Sequence, residues 1–225
     1  MIEFIEDILK ERDRYKHNSI EWQNLNLEKA FILEDLKSSW KELTAYYPES
    51  TIRNIPYGFS RASELPPETI YENKRSLLEY NGGCTKQIIP YCLLRYKDEY
   101  YIAIRENNGD KRLNGKMSGI GGHVDKNLTQ GMMREIEEET GVTPDLIEKI
   151  ELVGIIKSEG NIEDKYDVSK DHIGLVYIVD LKTKKIRMQE LGVQTAIFLK
   201  SGDFHKYQHR FEDWLDLIVR NLFFS

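Results

Sequence analysis

The sequence predicts an α/β fold in which helices cover a sheet. From Lys86 onward, short runs rich in β-branched and aromatic residues follow one another as strands do. Two stretches at helical spacing, Leu128 to Thr140 and about Phe204 to Phe223, lie between and after those runs. A composition of 40% hydrophobic and 31% charged residues over 225 positions is that of an ordinary folded chain, long enough to bury a core. Strands mixed with helices stack as layers, each apolar face against another.

Taken in order, Ile2, Ile5, Ile8 and Leu9 recur at helical spacing, and a second helix is expected from Leu27 to Tyr47, with Phe31, Trp40 and Leu43 among charged residues. Tyr47-Pro48 ends it, and Pro56, Pro66 and Pro67 punctuate an irregular connection. A helical N-terminal extension over residues 1–83 and a second domain over residues 84–225, C-terminal helix included, are the expected divisions. Strands are expected at Ile88 to Tyr96, Tyr100 to Arg105, Glu151 to Lys157, His172 to Leu181 and Gln194 to Leu199. In the last helix, Phe211, Trp214, Leu215, Ile218 and Leu222 share a side.

A net charge of −6 argues against a protein that holds a nucleic-acid duplex, because neutralising phosphates needs a surplus of Lys and Arg. Two cysteines, Cys84 and Cys92, are too few for a disulfide framework or a Cys-rich metal site. The N-terminus carries acids where a secretory signal carries bases, and no apolar run approaches the roughly 18 residues that span a bilayer. A cytoplasmic protein without a membrane segment is therefore expected.

The stretch from Gly121 to Val142 carries the chemistry. Asn127, with Gln130 three residues on, reads as an N-cap, and Gly141 as the residue that ends the helix. Glu135, Glu138 and Glu139 stand at i, i+3 and i+4, so one side of the helix gathers three acids, while Met132, Met133 and Ile136 can face the core. Like charges at this spacing repel, and acids near a helix C-terminus oppose the macrodipole by about 0.3–1 kcal/mol each. A hard divalent cation reverses that balance, because carboxylate oxygens are its preferred ligands. A solvated acidic face, with Arg134 paired to Glu138, is the other account of the same residues.

The run Arg134-Glu135-Ile136-Glu137-Glu138-Glu139-Thr140-Gly141-Val142, with Gly121-Gly122 upstream, resembles the Nudix box of the Nudix, or MutT-like, hydrolases. The resemblance covers roughly Lys86 to Leu199 and implies an α/β/α sandwich with a mixed sheet. It implies hydrolysis of a diphosphate linkage in a small nucleoside-diphosphate-type substrate, by attack of water on phosphorus with Mg²⁺ or Mn²⁺. Carried onto this chain, Glu138 and Glu139 would be the principal metal ligands, and Glu135 a further ligand or the base. Arg134 would orient a glutamate, and a carbonyl of Gly121 or Gly122 could complete the shell. The interval from Gly122 to Arg134 is about two residues shorter than in the family pattern, and Lys126 stands where the pattern has a glutamate, with Asp125 the nearest acid. Lys116 to His123 also looks like a branch of predicted phosphoesterases with Gly-Gly-His in the loop.

Outside the box, Glu190 is a candidate carboxylate for the metal or the base, and His123 for phosphate, metal or the loop's own hydrogen bonds. Arg105 is a candidate for a substrate phosphate or the box helix, and Arg112, with Lys111 and Lys116, for steering a polyanion. The acidic loop of Glu159, Glu163, Asp164 and Asp167 could also reach the metal, but a solvated loop is the simpler reading. His172, Tyr91, Tyr100, Tyr101 and Tyr177 read as structural, and the cysteines as one exposed and one buried thiol. Two other functions stay open: a Nudix-fold nucleotide-binding or regulatory module without catalysis, and isomerisation of an isopentenyl diphosphate using Cys92. Residues 1–83 could shape the substrate pocket or a homodimer contact.

Overall fold

Twelve residues of one strand, β4 (Thr85–Tyr96), organise the molecule, because every other layer meets them. The computed structural model describes residues 43–61, 70–78, 84–105, 114–159, 169–186 and 193–224. The other strands are β1 (Leu43–Pro48), β2 (Gly58–Arg61), β3 (Tyr71–Lys74), β5 (Glu99–Arg105), β6 (Met117–Ser118), β7 (Ile120–Gly121), β8 (Ile147–Lys157), β9 (His172–Leu181) and β10 (Val193–Lys200). The main order is β10-β5-β4-β9-β8-β2, with β4 and β9 parallel and the remaining pairs antiparallel, which makes the sheet mixed. Along its other edge β4 takes three partners in turn: β1 at Thr85 to Gln87, β7 at Tyr91 and Cys92, and β5 at Leu94 to Tyr96.

Side chains alternate across β4, so its two faces build two cores. Cys92 and Leu94 join Met132, Ile136 and Val142 beneath helix α1 (Leu128–Thr140). Tyr91 and Leu93 join Leu215, Ile218 and Val219 of helix α2 (Asp213–Leu222) on the opposite face. Each fully buried aliphatic side chain contributes about 1.5–3 kcal/mol relative to exposure, so the two helices are held by their apolar stripes. The result is the expected α/β/α sandwich. A third cluster, with Ala45, Tyr47, Ile52, Ile88, Val124 and Leu128, fills the end of the sheet where α1 begins. Among the described residues no helix is long and apolar enough to cross a membrane.

Two expectations are corrected. Residues 43–48, given to the end of a helix, form β1: Ala45 and Tyr47 enter the core on alternate positions, and pairing with β3 and β4 satisfies the backbone. β1, β2 and β3 belong to the same sheet as β4. The C-terminal helix is also broken. A turn at Phe204–Tyr207 and a 3₁₀ turn at Gln208–Arg210 precede α2, because Phe211 bridges to Met117 and Glu212 donates its N–H to the Met117 carbonyl, 3.0 Å away. The helix expected from Ile2 and all of the second before Leu43 lie outside the described residues.

Candidate active site

Helix α1 starts and stops by local chemistry. The Asn127 side chain accepts the Gln130 N–H at 3.2 Å and its amide donates to the Gln130 side chain at 3.0 Å. Gly141, at φ 69°, sits in the left-handed region that favours glycine, and its N–H reaches the Glu137 carbonyl at 2.7 Å. Asp125, the nearest acid to the position that the family pattern gives to glutamate, accepts the Asn127 N–H at 2.8 Å and so braces the loop.

The three box glutamates differ in environment. Glu138 is exposed, and its Oε2 lies 3.0 Å from Arg134 Nη1. The Glu135 carboxylate is mostly covered and meets Arg134 Nη2 at 2.7 Å. It lies so close to the loop that a Cβ on Gly122 would fall 2.2 Å from its Oε2, so a larger residue there would make the Glu135 side chain swing aside. The same Arg134 donates to the His123 carbonyl at 3.1 Å. Glu139 is 6% exposed and turns to the core side, where its charge and that of Glu135, after burial, push the Cys92 thiol well up. Burial first and Glu139 second raise the Tyr101 phenol to about 12.

The acids thus share a helix side without closing on a common point. Among the described residues no three His, Cys, Asp or Glu side chains are gathered closely enough to hold a metal ion. The guanidinium of Arg134 takes the contacts of Glu135 and Glu138 instead, as a local cation should between two carboxylates. The donor set itself is chemically right for a hard divalent ion, since Glu135, Glu138, Glu139 and the Gly121 and Gly122 carbonyls offer oxygen alone. An open cleft of about 650 Å³ runs beside Gln130, Met133, Arg134, Glu137 and Glu138 on the outer side of α1, but neither Glu135 nor Glu139 lines it.

Other candidates fall elsewhere. His123 is half-buried and faces His172, Nε2 to Nε2 at 3.1 Å. Burial, then the charge of Arg75, then His172 lower the His123 pKa to about 2, so the ring is neutral and serves the loop's packing. Arg105 donates from Nε to Ser118 Oγ at 3.0 Å, within the strand pair that leads into the loop. Cys84 is exposed and Cys92 buried in the core under α1, where its protonated thiol is no nucleophile. Arg112, Lys111, Glu190, Glu163, Asp164 and Asp167 lie outside the described residues.

Sequence reasoning did not single out Glu212 and took Tyr91 as structural. The Tyr91 hydroxyl accepts the Gly119 N–H at 2.6 Å and donates to Glu212 Oε1. Burial raises the Glu212 carboxyl, opposed by the Tyr91 hydrogen bond and by Arg105. No local pattern announces this contact, which joins residues 121 positions apart.

A match to the NUDIX domain spans residues 89–217, more than half of the chain. Among solved structures, the Nudix protein Tm1382 is 20% identical over 81% of this chain and 98% of its own, with a TM-score of 0.62, which shows a shared fold. The NUDIX domain of Shewanella oneidensis NrtR complexed with ADP ribose is 17% identical over 54% of this chain and 77% of its own, with a TM-score of 0.42. A C. elegans Ap4A hydrolase is 14% identical over 59% and 92%, also with a TM-score of 0.42. No curated protein matches the chain in sequence. With the box helix capped as expected, the glycine loop packed against Glu135 and the domain match over most of the sheet, the chain belongs to the Nudix family of hydrolases.

Proposed function

We propose that this protein is a Mg²⁺- or Mn²⁺-dependent hydrolase of a diphosphate linkage in a small nucleoside-diphosphate-type substrate. The observation that carries the reading is the packing of the Glu135 carboxylate against Gly122, with Arg134 joining Glu135, Glu138 and the His123 carbonyl. That contact holds Glu135, Glu138 and the loop backbone around one guanidinium, and an ion bound there would draw on an oxygen-only donor set. Glu138 and Glu139 would hold the ion, with Glu135 as a further ligand or as the base, and Gly121 or Gly122 would add a carbonyl. When bound, such an ion neutralises phosphate oxygens and acidifies a coordinated water.

The protein's own part is positioning. Arg134 fixes two of the carboxylates and the loop by charge-assisted hydrogen bonds, and the capped helix holds the acids at constant spacing. Glu135, shielded by Gly122, is better placed than exposed Glu138 to take a proton from water without competition from bulk solvent.

The shortened loop, with Lys126 in place of the pattern's glutamate, favours a second reading, a nucleotide-binding or regulatory module without catalysis. One experiment separates the two. Glu138→Gln should lower kcat on a responsive substrate, drawn from dinucleoside polyphosphates, nucleotide sugars, NADH, ADP-ribose and nucleoside triphosphates, by about 10²-fold or more, while leaving the fold intact. A wild type inert on all of them with either ion, or a variant as fast as wild type, rejects the hydrolase reading.

A further inference from the structure

The loop that presents Gly121 and Gly122 is clamped from the opposite side of the sheet. Its leading segment, Gly115 to Gly119, is gripped at four points. Arg105 takes the Gly115 N–H and the Lys116 carbonyl through its backbone. Arg210 donates to the Gly115 carbonyl at 3.3 Å, and the Glu212 N–H reaches the Met117 carbonyl at 3.0 Å. The fourth point is a directed chain, Gly119 N–H to Tyr91 hydroxyl to Glu212 carboxylate, in which each donor strengthens the next. Gly119 lies directly on the Tyr91 ring, since a Cβ there would fall 2.6 Å from Cε1.

A joint that merely docked α2 would not need this chain. Tyr91 already packs edge-on to Trp214 of α2, with ring centroids 5.8 Å apart, inside an apolar cluster. A carboxylate placed among such groups costs desolvation that an apolar pair would avoid. What the carboxylate adds is direction: it orients the phenol proton away from Gly119, so that the phenol oxygen presents a lone pair to the amide.

We propose that Tyr91 and Glu212 are positioning residues that fix the backbone of Gly119 to Gly122, and through it the loop carbonyl offered to the metal. The assignment rests on the hydrolase reading for its purpose, but its geometry can be tested without turnover. Amide hydrogen exchange of residues 119–122 and Mn²⁺ affinity by calorimetry are measured on wild type, Tyr91→Phe, Glu212→Ala, Glu212→Gln and Glu138→Gln. Tyr91→Phe and Glu212→Ala should speed exchange at Gly119 to Gly122 by about tenfold and weaken Mn²⁺ by about 10–100-fold, as loss of an outer-shell partner does. Glu212→Gln, whose amide oxygen can still accept from the phenol, should recover most of both.

Glu138→Gln should weaken Mn²⁺ yet leave loop exchange at the wild-type rate. Exchange at 119–122 unchanged in Tyr91→Phe, or accelerated equally across β4 and α1, overturns the proposal whatever happens to stability. If wild type binds no Mn²⁺ or Glu138→Gln retains full activity, the hydrolase reading fails, and the exchange pattern alone still decides the positioning role.

Discussion

Arg134 shows how one side chain settles an arrangement that its neighbours leave open. Its contact with Glu138 is legible in the sequence, because residues at i and i+4 adjoin on a helix, and its exposed pair contributes only about 0.3–0.5 kcal/mol. Its reach to Glu135 and to the His123 carbonyl depends on the loop's path, which spacing does not specify. His123 carries a pH prediction. Its folded pKa of about 2 lies below the 6.5 of an unfolded histidine, so between those values the unfolded chain holds the extra proton. The contribution of the neutral ring is complete above pH 6.5 and is lost as pH falls, at no more than about 1.4 kcal/mol per pH unit, and less for a half-buried ring. Glu212, with its pKa raised, contributes the opposite slope but is common to both proteins compared. Urea denaturation at pH 7, 6 and 5 should therefore show wild type losing more stability than His123→Asn; parallel losses would reject the assignment.

Helix α1 was legible at both ends, because its boundaries are set by Asn127, Gln130 and Gly141 within the helix's own turns. That locality makes its cap a clean target. Asn127→Ala leaves the Gln130 N–H without its acceptor and should cost about 1 kcal/mol in chemical denaturation, with the m-value unchanged. A cost near zero would mean that the packing of Gly131 against Val124, where a Cβ would fall 2.6 Å from Val124 Cβ, holds the helix start unaided. β1 was not legible, since Leu43 and Tyr47 stand four apart and satisfy a helical period, while Ala45 and Tyr47 satisfy an alternating one. Pairing with β3 and with the edge of β4 decides between them. The break before α2 was hidden for the same reason: Phe211 fits a helical stripe, but its partner Met117 lies across the molecule.

On the scale of the whole molecule, the sandwich followed from the alternation of strand and helix patterns, whereas the incorporation of β1, β2 and β3 depended on pairings and contacts between distant segments. Lys157, at the end of β8, is 2% exposed, yet it meets Glu49 at 2.8 Å and donates to the Ile52 carbonyl at 3.1 Å. Glu49 is one-third exposed and also lies 4.0 Å from Lys86, whose pKa burial lowers against the raising effect of Glu49. The turn after β1 is thus fastened to β8 and β4 by an ion pair whose two ends are unequally solvated. Losing the lysine leaves a carboxylate that still has Lys86 beside it, whereas losing the carboxylate leaves a buried ammonium without a counter-charge. Glu49→Gln should therefore destabilise by about 1–3 kcal/mol, a figure reduced from the cost of breaking a fully buried pair because Glu49 is partly hydrated. Lys157→Met, which fills the same space with an apolar chain, should cost less. Urea denaturation at pH 7 checks the order of the two. If Lys157→Met is the more damaging, the hydrogen bond to Ile52, and not the charge pair, is what joins the N-terminal strands to the rest of the sheet.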